Sequence, residues 1–561
     1  MNSLNMKIKF SIFLFLSSCY ITNAQTGGGK TGNLGNEDVN VVKEYTPVLN
    51  DAFKININPD NDTSTFKSAQ SLTYKVEARP INSNYNTSPI KPVKIKDDII
   101  KKLYHGWIKA GYGLENMPLL DASFNSLRSK NFDAGIHVEH LSASGKINDF
   151  GYPGNATSKI GAFGTRYFDK FKLGAALGFR RDMVHYYGFM SPPDLYEKSE
   201  TKHSMNDING RVFLSTLETD ADKWKFNSAL DFYTFSDNFK SDENNVKFEA
   251  GGSKLLNNAV FSVQASGEFG KIQQASYNFN RSIIRVNPRF TITKDLFSIA
   301  VGANVAIESN NGKSNYRLYP HLRAEYQVIN DAFKVFAELS GDLERNDLRS
   351  LSRENPFFGP FVPLVNTNNK LSISGGTSIK LEHDLMFTGQ ATFKRLRNMP
   401  FFYNFYDSLF PVTFTAVYDN INLLNIKGSL EYKQTEKASA AISAEFNKYN
   451  MNKIKDPYYA PAFRFGLSGH YAIAEKIYVK ADFFYNSDIT GISYTKKDSV
   501  VTSSTINIKG WFDANIGIDY RYSKVLSAWV SLNNIGFSRY FRWYQYPSYR
   551  FLGMAGVTYS F

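Results

Sequence analysis

The residues best suited to chemistry form one small cluster, His137, Glu139 and His140. Imidazole and carboxylate groups are common zinc ligands, and a site needs several of them around one point. The cluster lies in a segment with strand-like alternation, in which neighbouring side chains point to opposite faces. His137 and Glu139 then share a face while His140 points away, so three ligands cannot converge. We expect no metal site and no cofactor here.

Nucleophilic and phosphate-binding motifs offer no better candidate. The sequence lacks the Gly-x-Ser-x-Gly elbow that exposes a catalytic serine in many hydrolases. Residues 27–31, GGGKT, resemble the end of a phosphate-binding loop, but Ala24 stands where the first glycine of that motif is required. We therefore expect a protein that is not an enzyme, with no catalytic residue.

From residue 105 to the end, the sequence predicts β-strands as the elements that would position such side chains. In residues 224–235, 477–485 and 512–520, apolar side chains at every second position oppose polar ones, with no helical pattern between the strands. This alternation excludes a parallel sheet covered by helices. Residues 551–561 form a strand that ends on the last residue, which suits a closed barrel whose last strand pairs with its first. The expected partner is the segment 107–112.

Composition and the N-terminus place this barrel in a membrane outside the cytoplasm. Aromatic residues make up 15% of the chain, yet the mean hydropathy is −0.34. That balance is typical of transmembrane strands that alternate between lipid and a polar lumen. Residues 1–24 are a predicted signal peptide, with Lys7 and Lys9 before a short apolar core and a cut after Ala24. Lipidation at Cys19 is the alternative. The net charge of +13 is not concentrated in a basic stripe, so we expect no nucleic-acid partner.

Short polar turns supply a strand count. Ten of them each join two strands with clear alternation, and longer loops connect one such pair to the next, as in outer-membrane barrels. They are centred on Lys130, Asp169, Ala221, Asn257, Asp295, Asp331, Asp384, Glu436, Glu475 and Lys524. Ten turns and the two terminal strands predict an all-β, antiparallel transmembrane barrel of about 22 strands over residues 105–561, with 18–20 as the alternative. The count is weakest over 385–435, where residues 412–418 form either a separate strand or one arm of a loop.

Residues 25–104 differ from the barrel. They begin with a glycine-rich stretch and continue as a mixed polar and β-branched segment that ends rich in Pro, Asn and Lys. We expect a short, extended periplasmic or plug-like segment, because this length and pattern do not support a large hydrophobic core.

The long loops combine proline with aromatic residues, which offer rigid contact surface for a ligand or partner. Alternatively, these side chains pack on one another and stiffen the loops or fold into the barrel mouth. The candidates for loop contact are Phe357, Phe358, Phe361, Tyr458, Tyr459, Trp543 and Tyr544.

Both ends of the chain resemble a known family. Residues 532–536, LNNIG, followed by Trp543, Tyr546-Pro547 and a final aromatic strand, resemble the C-terminal hairpin of TonB-dependent outer-membrane receptors. The Asn23-Ala24-Gln25 region resembles signal peptides common in Bacteroidota. The resemblance implies a 22-stranded barrel in the Gram-negative outer membrane, with outer-membrane lipid as its surroundings. It also implies that the barrel-assembly machinery reads the row Val557, Tyr559 and Phe561.

The chain departs from that family before the barrel, where the receptors carry a longer plug domain. Residues 25–104 are too few for a full one, so we expect that it is missing. What remains resembles a TonB box, the extended segment that adds as a strand to the energising partner. Its residues are Glu37, Asp38, Val39, Val41 and Val42. Ordinary extended chain is the alternative for this stretch.

Two functions of different class follow. In the first, the barrel takes up a solute across the outer membrane, with TonB as its partner and residues 37–104 closing the lumen. In the second, the barrel is a non-transporting anchor or assembly subunit that holds periplasmic or outer-membrane proteins through its N-terminal segment and loops. The sequence favours the first and leaves the substrate open.

Overall fold

The computed structural model describes residues 103–561, apart from 128, 190–195, 221, 275–276, 383, 406–411, 435–436, 475 and 498–499. These residues form one closed antiparallel barrel of 22 strands, which confirms the predicted fold class and strand number. Two small hairpins and one short helix lie in the loops. The helix has seven residues, and no helix in the described part of the chain is long and apolar enough to cross a membrane.

The first half of the wall consists of β1 (Gly106–Gly113), β2 (Met117–Asn125), β3 (Phe132–Ala143), β4 (Asn155–Tyr167), β5 (Phe171–His185), β6 (Lys202–Thr216), β7 (Lys225–Asp237), β8 (Asp242–Leu256), β9 (Ala259–Gln274), β10 (Tyr277–Lys294) and β11 (Phe297–Asn310). The second half consists of β12 (Lys313–Ile329), β13 (Phe333–Glu344), β14 (Thr367–Glu382), β15 (Leu385–Phe405), β16 (Thr413–Gln434), β17 (Ala438–Asn450), β18 (Phe463–Ile473), β19 (Ile477–Asn486), β22 (Trp511–Arg521), β23 (Leu526–Asn533) and β26 (Leu552–Ser560). The loops hold α1 (Leu348–Glu354), the hairpin β20 (Ile489–Lys497) with β21 (Val500–Ile508), and the pair β24 (Phe541–Trp543) with β25 (Tyr546–Pro547).

All ten predicted turns fall between two wall strands. Asn257, Asp295 and Asp331 adopt positive φ angles of 54°, 50° and 56°, a conformation that Asn and Asp tolerate better than other side chains. This local chemistry explains why the turns are recognisable in the sequence. Of the doubtful stretch 412–418, residues 413–418 belong to β16, which pairs with β15 from Thr413 onward in one long hairpin.

The barrel closes between its first and last strands, as predicted. Trp107 pairs with Ser560 and Gly113 with Met554, and the backbone of Gly106 exchanges two hydrogen bonds with Phe561. The side chains of Val557, Tyr559 and Phe561 are exposed on the outer face. They lie in the row that the sequence predicts to face lipid, and their reading by the assembly machinery stays a prediction.

The wall keeps the period-two pattern that the sequence shows. In β10, Ile284, Val286 and Phe290 are exposed on the outer face, whereas Arg281 and Ile283 are buried on the inner one. An apolar outer row and a polar inner row are typical of strands between lipid and an aqueous lumen. The inner face therefore presents charged groups at the height where the loops begin.

Candidate functional site

The loop between β13 and β14, residues 345–366, crosses the mouth of the barrel. It contacts β6 on one side, through Asp207, and β16 on the other, where Phe358 forms a bridge with Phe414. These two strands are ten positions apart in a ring of 22, so they stand on nearly opposite walls. We call residues 345–366 the cap loop.

A short helix opens the cap loop because its first turn is fully capped. The side chain of Asp347 accepts from the backbone N–H of Ser350 at 2.7 Å, and the Ser350 hydroxyl lies 3.3 Å from the N–H of Asp347. This reciprocal arrangement is a capping box, which satisfies two otherwise unpaired donors at a helix start. The helix α1 buries Leu348, Leu351 and Ser352.

Buried charges fasten the start of the cap loop to the wall. Arg345 donates to Glu243 of β8 at 2.8 Å and lies 2.9 Å from Glu268 of β9. Glu243 also accepts from the backbone N–H of Leu348 at 2.9 Å, so one carboxylate holds both an arginine and the helix N-terminus. Arg281 of β10 lies 3.6 Å from the same carboxylate. Breaking such a buried pair costs about 3–5 kcal/mol, because it leaves a charge without compensation.

A second ionic contact holds the far side of α1. Asp207 of β6 is buried and forms an ion pair with Arg353 at 2.6 Å. Arg349 donates hydrogen bonds to both carboxylate oxygens of Asp207. The guanidinium fork suits a carboxylate, so Arg349 fixes orientation as well as charge. The helix is therefore attached to β6 and β8 by Asp207 and Glu243, and Arg345 just before it is attached to β8 and β9 by Glu243 and Glu268.

After the helix, the cap loop is held by uncharged contacts. Gln274 of β9 accepts from the N–H of Val362 at 2.7 Å and donates to its carbonyl at 3.0 Å. The Tyr418 hydroxyl of β16 donates to the Pro363 carbonyl at 2.8 Å. Because Gln274 and Tyr418 lie on different sides of the mouth, these bonds stretch the loop across it.

An aromatic core joins the cap loop to the other loops. Phe357 stacks on Tyr546 with ring centroids 3.9 Å apart, and Trp543 packs edge-on against Phe402 and Phe414. Tyr546 donates to the carbonyl of Val412 at 2.7 Å. Burial raises the pKa of the Tyr546 phenol well above its usual range, which keeps it a neutral donor.

The predicted loop-contact residues divide between this core and the surface. Phe357, Phe358, Tyr458, Tyr459 and Trp543 are buried in the aromatic core, and Tyr544 is partly buried with its hydroxyl 3.1 Å from Ser493. Phe361 is 50% exposed. The structure thus buries five of the seven by packing them together, whereas Phe361 stays half-exposed with its ring edge-on to Tyr277.

The histidine cluster disperses into pairwise contacts on the wall. His137 lies 2.7 Å from Asp121, Glu139 binds Lys159 at 2.9 Å, and His140 lies 2.8 Å from Ser158. Within the described residues no group of three or more metal-binding side chains occurs. The TonB-box-like stretch, Glu37–Val42, lies outside the described residues.

The residues that hold the cap loop are absent from the sequence predictions. Asp207, Glu243 and Gln274 look like ordinary lumen-facing polar residues, and their partners lie 88 to 146 positions further along the chain. One signal was available: each sits near the loop end of a strand, where an acid or amide on the inner row can meet a loop.

Below the cap loop, the inner wall forms a polar cavity of about 590 Å³. Its lining includes Arg289, Arg323, Glu325, Glu338 and His321. Arg323 bridges Glu325 and Glu338, both at 2.5 Å, so these charges compensate one another. The surface is suited to a hydrated solute rather than to an apolar one.

Comparisons with known proteins identify the fold. No protein-family model and no curated protein sequence matches the chain. Solved structures do match, among them the FrpB iron transporter from Neisseria meningitidis, with 10% identity, a TM-score of 0.63 and 82% of each chain covered. The siderophore receptor PirA from Acinetobacter baumannii matches with 11% identity and a TM-score of 0.62, covering 83% of this chain and 81% of that one. The pyoverdine outer membrane receptor FpvA from Pseudomonas aeruginosa matches with 12% identity and a TM-score of 0.61, covering 82% and 78%. The chain shares the barrel fold of these iron-transport and siderophore-receptor proteins.

Proposed function

We propose that this protein takes up a solute across the Gram-negative outer membrane, with the cap loop as the gate on the outer mouth. The observation that carries the proposal is the cap loop itself, fastened across the mouth above a polar lumen wall by Arg345 and its two acidic partners on the wall, Glu243 and Glu268. A wide barrel must be closed when idle, and a loop held by a few ionic contacts is a closure that a ligand can release.

The fold neighbours support the class of activity. They include an iron transporter and a siderophore receptor, and the same class of barrel here would serve the same kind of task. TonB would engage Glu37–Val42, and residues 25–104 would close the lumen from the periplasmic side. Outer-membrane lipid and the barrel-assembly machinery complete the proposed partners.

The anchor function stays a second candidate because the cap is densely packed. Five aromatic candidates and three buried carboxylates are committed to holding the loops together. A firmly packed cap loop also suits a barrel that only anchors partner proteins in the membrane.

Conductance in planar bilayers separates the two functions. The purified full chain is compared, at equal insertion, with a chain that lacks residues 25–104 and carries Asp207→Asn and Glu243→Gln to release the cap loop. Uptake predicts a low conductance in the full chain and a higher one in the altered chain. Equal, negligible conductance in both chains, together with partner proteins that co-purify stoichiometrically, would support the anchor and overturn the uptake proposal.

A further inference from the structure

The outer face of the wall turns basic at the loop end of β15 and β17. Arg395 of β15 lies two positions above Phe393, an exposed side chain of the apolar outer row. Lys448 of β17 lies two positions above Phe446, which belongs to the same row. Side chains two apart on a strand share a face, so both cations stand on the outer side, where they are exposed. Arg397 follows Arg395 at the next outer position and is exposed as well.

The strand register brings the two cations to neighbouring levels. Phe393 pairs with Leu424 of β16, and Leu424 pairs with Lys448. Arg395, one outward step higher, pairs with Asn422 of β16. One strand therefore separates Arg395 from Lys448, which places their backbones about 10 Å apart across the strands. Long side chains at this spacing can reach one ligand that lies over Asn422.

No carboxylate compensates these charges. Neither Arg395 nor Lys448 forms an ion pair within the described part of the chain, and the outer positions of β15, β16 and β17 hold no Asp or Glu. Glu431 and Glu445 lie at inner positions of β16 and β17. Asp419 of β16 is buried, where it accepts from the backbone N–H groups of four residues.

The acids near this rim on β13 face the other side of the wall. Asp342 lies 3.8 Å from Arg285 of the inner wall, and Glu344, two positions further on, shares its face. The loop after β17, residues 451–462, adds two lysines against one aspartate. The outer rim at β15–β17 therefore carries an excess of positive charge.

An apolar groove lies on the outer wall directly below the cations. Its volume is about 430 Å³. The larger apolar side chains that line it are Phe387, Ile426, Phe446 and Phe463, and the small residues between them are Gly375, Gly389, Ala391, Gly428 and Ala444. Packing does not require glycine here, because a Cβ at Gly375 or Gly428 would meet nothing closer than a backbone carbonyl at 3.7 or 3.9 Å. The groove is open space that the protein's own side chains leave unfilled.

We propose that the groove, with Arg395 and Lys448 above it, binds an anionic phospholipid of the leaflet around the loop end of the barrel. Lys and Arg at the end of an apolar face extend to the headgroup level, where they attract anionic lipid. The arginine fork suits a phosphate group and the lysine adds a point charge. One acyl chain of the same lipid lies in the groove. The site depends on the membrane placement of the barrel and is the same for an uptake barrel and for an anchor.

Native mass spectrometry of the full chain tests the proposal. The chain is titrated in neutral detergent with phosphatidylglycerol, and phosphatidylcholine with the same acyl chains is the neutral comparison. We expect one tightly bound phosphatidylglycerol and weaker phosphatidylcholine. Arg395→Gln with Lys448→Gln should raise the phosphatidylglycerol concentration for half occupancy by about tenfold or more, because each cation at a membrane surface contributes about fivefold.

Two isolated cations of the outer wall provide the matched control for charge. Arg181 of β5 follows the exposed Phe179 in the outer row, and Lys271 of β9 follows the exposed Phe269. Arg181→Gln with Lys271→Gln removes the same two charges from other strands and should leave the lipid affinity unchanged.

The groove is tested by a substitution that leaves the cations in place. Gly428→Val fills part of it and should weaken phosphatidylglycerol by about fourfold, the value of one buried methylene group. Gly164→Val is the control, since Gly164 is an outer-face glycine of β4 whose Cβ would also meet open space. It should bind the lipid as the unaltered chain does.

Unchanged phosphatidylglycerol affinity in the variant without Arg395 and Lys448, or equal affinity for phosphatidylcholine in the unaltered chain, overturns the proposal. Inorganic phosphate is the probe for the headgroup alone, and competition by it at the concentrations of the lipid would overturn the role of the groove. Loss of a dimer in Gly428→Val with unchanged lipid affinity would make a second copy the occupant of the groove, which also contradicts the proposal.

Discussion

The carboxylate of Glu243 binds the first turn of α1 directly, accepting from the backbone N–H of Leu348 at 2.9 Å across 105 positions of sequence. The same side chain pairs with Arg345, so one wall residue fixes both the entry of the cap loop and the start of its helix. Glu243 is therefore one residue on which the start of the closed cap loop depends.

Replacing that acid should open the cap loop without unfolding the barrel. Glu243→Ala leaves Arg345 and Arg281 buried with one partner fewer, at a local cost of about 3–5 kcal/mol. Hydrogen exchange over residues 345–366 should become much faster, while exchange in β8 changes little. Glu344→Ala, an exposed acid at the end of β13, is the control and should leave exchange in the loop unchanged. Equal protection in both variants would contradict the role of Glu243.

A neutral contact offers an independent check of the same closure. Gln274→Ala removes both hydrogen bonds to Val362 and leaves a buried N–H unsatisfied, at a cost of about 1–3 kcal/mol. Proteolysis within the cap loop should then be faster by about tenfold. The adjacent Gln273→Ala, which is exposed on the opposite face, should be cut at the rate of the unaltered chain. The same rate in both variants would show that Gln274 does not hold the loop.

Barrel closure can be tested by a disulfide between the first and last strands. Lys109 and Thr558 face each other as a pair without mutual backbone hydrogen bonds, where Cα atoms lie about 4.5 Å apart, within disulfide range. Lys109→Cys with Thr558→Cys should cross-link under mild oxidation and lose its heat-induced shift on gels. Lys109→Cys with Ser560→Cys, two positions out of register, should not. Cross-linking of the second pair in preference to the first would contradict the register.

Much of the architecture was predictable because short stretches of sequence determine it. Turn residues such as Asn257 and Asp331 mark the hairpins by their own conformational preferences, and alternation marks the faces. The cap loop was not predictable in this way. Arg345 and Glu243 are 102 positions apart, and no local pattern links them. Packing of the aromatic loops into the mouth could therefore be raised only as an alternative, and the residues that fasten the cap loop could not be identified.

The TonB-box prediction rests on Glu37–Val42 and needs its own experiment. Deletion of residues 37–42 should abolish retention of the full chain by an immobilised periplasmic domain of TonB, because strand addition requires an extended segment. Deletion of six residues from 61–66 serves as the length control and should leave retention intact. Retention of the chain that lacks residues 37–42 would contradict the prediction that these residues bind TonB.

The account's central claim is that the cap loop closes the mouth of an uptake barrel, and single-channel conductance tests it most directly. Four chains are compared: the full chain, the chain without residues 25–104, and each of these with Asp207→Asn and Glu243→Gln. We predict the highest conductance for the chain that combines the deletion with the two substitutions. Its conductance should be well above that of the deletion alone or the substitutions alone, because the two closures of the unaltered chain act in series and each change removes only one of them. The same negligible conductance in all four chains, with folded barrels confirmed by heat modifiability, would contradict the claim.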